Sequence, residues 1–270
     1  MVISKIGVPK LPTDWSGEVH SVFQNSCNIR LSGGPLVCLH RFDFGILPHS
    51  FYVPELNTHL FQPGQLVQAT PEGLMIDGAL VFRWADHMEV VDTQVMTGAL
   101  PHTWSDEWQT FNQLQQTQQN TPDMMGQVYA SLTCHLGQLL PAVFAADQEA
   151  VAKHCHACVG LGQGLTPSGD DMLLGVLAAL HRYDPASIPL LRQAIPPLLH
   201  RTNEISASYL DLAMQGYVAT PVLDVLHHLG QNWDAPKRIL LSVGHSSGSD
   251  ILYGILTAVK ELWDKEKGRK

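Results

Sequence analysis

The sequence predicts an α+β protein, a β-rich N-terminal domain followed by an α-helical C-terminal domain with an internal loop-helix repeat. Three observations predict it. From about Val19 to Asp92 the chain consists of short β-branched and aromatic runs cut by turn residues. From Asp123 onward apolar residues recur with the helical period of 3.6. Within that second half, one loop and the helix after it occur twice.

In chain order, "EVHSVFQ", "CNIRL", "GPLVCLHRF", "SFYVP", "QLVQA" and "GLMIDGALVFRW" read as strands. Inside the last, Asp77-Gly78 between two apolar runs is a hairpin signal, because a two-residue turn there needs positive φ. The stretch "TWSDEWQTFNQLQQTQQNTP" carries Trp104, Trp108, Phe111 and Leu114 at helical spacing and then turns polar. It reads as a helix with a linker, the tryptophans forming a core or interface stripe. Helices are expected near 123–145, 147–158, 170–183, 186–200, 203–215, 220–230, 235–243 and 249–265. The domain reading is 1–105 β-rich, 106–122 helix and linker, 123–270 helical.

A net charge of -9 with 16 Lys and Arg excludes a general electrostatic attraction for nucleic acid or an anionic bilayer. An anionic ligand must then be held locally. The N-terminal stretch "MVISKIGVPKLPTDW" has prolines at 9 and 12 and no long apolar core, so it reads as neither a secretory signal nor a membrane span. Five cysteines fit reduced thiols in the cytoplasm better than a disulfide framework, and Cys27, Cys38 and Cys134 read as small packing residues.

The repeat is the most informative feature. "SGDDMLLGVLAAL" (168–180) aligns without gaps on "SGSDILYGILTAV" (247–259), pairing Asp171 with Asp250 and Gly175 with Gly254. A glycine inside a helix costs about 0.8–1 kcal/mol relative to alanine, so its recurrence suggests close packing of the two helices. The helix starts are then expected to converge on one place. That place would gather two positive dipole ends, the hydroxyls of Thr166, Ser168, Ser246 and Ser247, and the carboxylates of Asp170, Asp171 and Asp250. Ser, Gly and Asp also suit a plain helix cap. A cap needs one acceptor, however, whereas the first copy offers two carboxylates and two hydroxyls in a loop that opens Gly160-x-Gly162-x-Gly164.

Two phosphate motifs are excluded. Gly164 to Gly169 has the glycine spacing of a P-loop, but Asp170 and Asp171 stand where Lys and Ser or Thr are required. The glycines also follow a helix-like stretch, not the strand that a dinucleotide fingerprint needs.

Taken together, "GLGQGLTPSGDDMLLG", "ISASYLDLAMQGYVATPVLDVLHHL" and "GHSSGSDILYGIL" resemble the AllH-type subunit of oxamate carbamoyltransferase and the wider family to which it belongs. The motif matches run from Gly160 to about Leu256. A weaker likeness covers the β-rich half through "NIRL" and "LVCLHRFDFG". The family motif falls on Gly164, Leu165, Thr166, Pro167, Ser168, Asp170 and Asp171 in the first loop and on Gly244, His245, Ser247, Gly248 and Asp250 in the second, with Ser206 and Tyr209 on the helix between. The resemblance implies a role in allantoin degradation and purine metabolism. There a carbamoyltransferase complex with other subunits converts oxalurate and phosphate to oxamate and carbamoyl phosphate.

On that reading Gly164, Thr166, Ser168, Gly169, Ser246, Ser247 and Gly248 bind the anionic substrate, aided by backbone N–H groups of 168–171 and 247–250. Asp170, Asp171, His245 and Asp250 carry the chemistry: Asp170 and Asp171 orient the substrate amide or hold Mg²⁺, and His245 transfers a proton. Two other readings compete: a non-catalytic structural or regulatory subunit of the assembly, and a metal-dependent hydrolase using Asp170, Asp171 and Asp250.

The remaining motifs have plainer readings. "KHCHAC" puts Cys155 and Cys158 at a spacing that invites zinc beside His154 and His156, but the second ligand pair is missing and packing explains both thiols. His227 and His228 read as one packed and one solvated ring. Thr202, Asn203 and Glu204 read as a helix start.

Overall fold

The computed structural model describes residues 2–7, 14–102, 105–119 and 123–268. They form two compact units that divide between Gln94 and Val95.

The first unit is a closed barrel of eight strands: β1 (Val2–Gly7), β2 (Trp15–Val22), β3 (Ser26–Leu31), β4 (Leu36–His40), β5 (Ser50–Tyr52), β6 (Leu66–Thr70), β7 (Gly73–Ile76) and β8 (Ala79–Val91). Their order round the barrel is β1-β5-β4-β3-β2-β6-β7-β8. Closure is made by the parallel pairing of β1 with β8, while β1 runs antiparallel to β5. Val19, Ile29, Val37, Leu39, Phe51, Val67, Leu74 and Phe82 fill the interior. The strands read from the sequence are present, with β1 in addition. Asp77 and Gly78 both take positive φ (48° and 82°) between paired Ile76 and Ala79, as a two-residue hairpin turn requires.

The second unit is helical: α1 (Ser105–Gln119), α2 (Asp123–Phe144), α3 (Gln148–Cys158), α4 (Ser168–Tyr183), α5 (Ile188–Ala194), α6 (Glu204–Met214), α7 (Thr220–His228), α8 (Asp234–Leu241) and α9 (Ser247–Glu266). α4 and α9 form the buried centre, because both are apolar nearly all round their first three turns. The helix expected over 186–200 is broken into two 3-10 turns flanking α5, since Pro196 and Pro197 cannot continue an α-helical ladder. The segment expected to be helix and linker is α1, and its Phe111 stacks on Tyr253 of α9 at 5.2 Å. Trp108 is 40% exposed and so is not a core residue, while Trp104 lies outside the described residues. His227 and His228 are both exposed, not one of each kind. No helix among the described residues is long and apolar enough to cross a membrane.

Candidate functional site at two helix starts

The repeat is a true structural pair. A Cβ on Gly169 would lie 2.0 Å from the Cys158 carbonyl oxygen, and one on Gly248 would lie 1.8 Å from that of Leu240. The amide of Gly169 donates to Leu161 O (2.8 Å) and that of Gly248 to Val243 O (3.0 Å). Each unit is therefore a helix, a loop and a second helix that starts against the end of the first. The second loop makes the same contacts in three fewer residues.

These bonds settle the capping question. Asp170 N–H and Asp171 N–H both donate to Pro167 O, and Asp250 N–H donates to Ser246 O. Neither α4 nor α9 has a side-chain cap. The amides of 169, 170, 171, 248 and 250 are thus satisfied by backbone carbonyls, so capping does not account for the aspartate side chains. The same bonds correct the expectation of an open amide nest over 168–171 and 247–250, because the amides of 169, 170, 171, 248 and 250 are already spent.

The two adjacent aspartates of the first loop do different things. Asp170 is 1% exposed and collects three donors: Gly160 N–H on Oδ1 (2.8 Å), and the hydroxyls of Thr202 and Ser206 (2.7 Å for Ser206) on Oδ2. It ties the glycine loop to the start of α6. Asn203 caps that helix through the amides of Ile205 and Ser206 and also donates from Nδ2 to Leu165 O (2.7 Å). The helix start read at 202–204 is therefore also the fastening of the first loop.

Asp171 is 4% exposed, and its Oδ2 is buried with no hydrogen-bond partner among the described residues. The hydroxyls of Thr166 and Ser247 stand beside it and bond each other at 2.8 Å, so one residue from each copy closes over the carboxyl. Burial pushes its pKa up to about 8; those two hydroxyls oppose the rise, and the charges of Asp250 and Asp170 add to it. Asp171 is therefore a neutral acid near pH 7 and a potential proton donor.

Asp250, fully buried, occupies the matching position on the other side. Near it lies Tyr129 of α2, with Ser168 and Ser246 of the two helix starts also beside its hydroxyl. Burial and the Asp250 charge both hold the phenol protonated. Sequence reasoning missed Tyr129, which sits far from both loops at an ordinary buried position of an amphipathic helix. Both aspartates are thus enclosed by hydroxyl groups, not by apolar packing alone. In the two loops that precede these helix starts, Gly164, Leu165, Gly244 and His245 are exposed.

Among the described residues, no group of three or more His, Cys, Asp or Glu side chains could hold a metal ion. Cys155 and Cys158 are fully buried, and burial raises both thiols far above the ordinary range. His154 instead faces His135 of α2, Nδ1 to Nδ1 at 3.0 Å, and His156 meets Arg201 at 3.1 Å.

Two comparisons bear on this arrangement. Residues 158–259 match the family model described as oxamate carbamoyltransferase subunit AllH. Residues 5–89 match the one described as the AllH family N-terminal domain. The first match spans α4 to α9 with both loops, and the second covers most of the barrel. No solved structure matches the chain.

Proposed function

Because the chain belongs to the AllH family of oxamate carbamoyltransferase subunits, we propose that it is one subunit of a carbamoyl-transferring assembly and that the starts of α4 and α9 form its ligand site. The substrates are oxalurate and phosphate, the products oxamate and carbamoyl phosphate, and the assembly contains other subunits. The setting is cytoplasmic allantoin degradation, where the five free cysteines stay reduced.

One observation carries the reading: Asp171, a buried acid with an orphaned oxygen, lies beneath a hydroxyl bridge between two convergent helix starts. A buried oxygen without a donor favours a ligand that supplies one, such as the N–H of a ureido group. Two helix dipoles direct positive ends at the same place, which suits anionic substrates, and a neutral Asp171 does not repel them.

A phosphate oxygen attacks the ureido carbonyl carbon, forming the new C–O bond, and the C–N bond to the oxamate nitrogen breaks. Asp171 gives its proton to that nitrogen, and the proton lost by phosphate restores the acid. The hydroxyls of Thr166 and Ser247 part to admit the ligand and then donate to the carbonyl oxygen as it gains charge. Ser168 and Ser246 hold the far wall, Gly169 and Gly248 allow the close backbone approach on which both loops depend, and Gly164 supplies a positive φ in the first loop. Exposed His245 acts at the mouth and not at the reacting atoms. Asp170 has its oxygens taken by protein donors, so the reading assigns it loop positioning and does not route the reaction through Mg²⁺. The metal-dependent hydrolase loses its central ligand by the same argument.

The test is Asp171→Asn in the assembly reconstituted with its partner subunits. Phosphate-dependent oxalurate cleavage should fall by about 10²–10⁴-fold, the usual contribution of a placed acid. Full activity with normal assembly would reject the reading in favour of a structural subunit.

A further inference from the structure

Three segments meet at one end of the barrel: the β2–β3 turn, the residue after β4, and the stretch after β5. Arg41 ties them together. Its Nε donates to Asn25 Oδ1 (3.0 Å), Nη1 to Leu56 O (3.1 Å) and Nη2 to Gln24 O (3.3 Å). A guanidinium has five N–H donors, so one remains on each terminal nitrogen. All three acceptors are neutral, and among the described residues no carboxylate pairs with Arg41. Beside this fixed charge opens a cavity of about 380 Å³ lined by Gln24, Arg41, Leu56, Asn57, Thr58 and His59. None of the six is acidic, in a chain with 25 Asp and Glu against 16 Lys and Arg. The wall is fastened as well: Thr58, 8% exposed, donates to Gln24 O (3.3 Å), and Asn57 Oδ1 accepts from His59 N–H (3.2 Å).

We infer that this cavity binds a small molecule carrying a phosphate or carboxylate group, and that Arg41 receives that group. Stapling the three segments is complete with the three neutral bonds. The two remaining N–H groups and the uncompensated charge are what an oxyanion uses, through charge-assisted hydrogen bonds about twice as strong as neutral ones. Because the protein already holds the guanidinium in place, little side-chain freedom is lost on binding. The Asn57 amide and the His59 ring line the same space and supply further donors for the oxygens or for the rest of the ligand. Ligand pockets usually measure about 300–1,000 Å³, so this one admits more than a bare ion. All six lining residues belong to the barrel unit, so the cavity depends on none of the residues at the starts of α4 and α9.

The experiment titrates the full chain with inorganic phosphate and, separately, with oxalate, and follows backbone amide shifts by heteronuclear NMR. Asn57, Thr58 and His59 should shift together and saturate with a Kd at or below about 1 mM for at least one probe. The tighter probe identifies the group that the natural ligand carries. Arg41→Lys keeps the charge but loses the planar fork, and it should weaken binding at least about tenfold. Gln24→Glu places a carboxylate in the wall while keeping the backbone carbonyl that Arg41 uses, and it should abolish binding of both probes. This second variant serves where Arg41→Lys unsettles the barrel. The absence of a saturable shift at these residues with either probe would overturn the site, as would wild-type affinity in a folded Arg41→Lys or Gln24→Glu variant.

Discussion

Gly175 and Gly254 make one reciprocal contact: a Cβ on Gly175 would lie 2.1 Å from the carbonyl oxygen of Ile251, and a Cβ on Gly254 would lie 2.0 Å from that of Met172. Ile251 and Met172 are themselves matched positions of the repeat. The two central helices therefore touch backbone to backbone through a local twofold, and this contact brings their starts together at Asp171 and Asp250.

Alanine at either glycine should destabilise the protein to a similar extent. In an isolated helix the change would gain about 0.8–1 kcal/mol of propensity. Here the added methyl meets a backbone carbonyl that cannot rotate aside, and overpacking costs about 1–3 kcal/mol. Denaturant unfolding of Gly175→Ala, Gly254→Ala and the double variant should show two comparable losses and a non-additive sum, since both act on one contact. A gain in stability from either alanine would show that the helices do not approach this closely.

Much of this was legible in the sequence, and the reasons are specific. The repeat was visible because close packing forces a glycine at the same offset from each aspartate. The helices were visible because their apolar spacing is local. The closure of the barrel by β1 on β8 was not, since pairing between the two ends of a domain leaves no local pattern. Nor could adjacency separate Asp170 from Asp171. Their roles depend on Thr202 and Ser206 reaching one, and on Ser247, 76 residues further on, reaching the other. Tyr129 carried no signal beyond a hydroxyl on an otherwise apolar face.

The thiols should react very unequally. Cys134 is exposed, whereas Cys27, Cys38, Cys155 and Cys158 are buried, and burial pushes Cys27 and Cys155 up to about 12. Only a thiolate alkylates readily. Iodoacetamide at pH 8 on the native protein should label Cys134 and spare the other four, as read by mass spectrometry of peptides. Rapid labelling of Cys155 or Cys158 would restore a redox or metal role for that pair.

His40 should make the barrel sensitive to acid. It is fully buried; Nδ1 accepts from Phe42 N–H (3.3 Å), and Nε2 donates to Ser50 Oγ (3.2 Å), whose own proton goes to Leu47 O (2.6 Å). That arrangement needs the neutral ring, and burial lowers the pKa to about 4 from an ordinary value of 6.5. Between those values the unfolded chain binds the extra proton, so stability is lost as pH falls from about 6.5 to about 4. The slope is up to about 1.4 kcal/mol per pH unit. Amide exchange in β4 should accelerate over that window, and His40→Gln should flatten the dependence.

Asp170→Asn and Asp171→Asn should separate structure from chemistry. In Asp170→Asn an amide NH₂ faces donors that the carboxylate accepted, and a conflict at a buried, fully bonded group costs about 1–3 kcal/mol. Asp171→Asn removes a proton-holding group but breaks no comparable set. Its effect on stability should also depend on pH. The folded pKa of about 8 lies above the ordinary 3.8, so folding takes up a proton between those values, and the wild type loses stability as pH rises through that range. Asparagine does not titrate. Relative to wild type, Asp171→Asn should therefore gain stability from pH 4 to pH 8, as measured by denaturant unfolding at each pH, while oxalurate cleavage by the assembly is lost throughout. A constant difference across that range would mean that Asp171 is ionised in the folded protein and is not the acid.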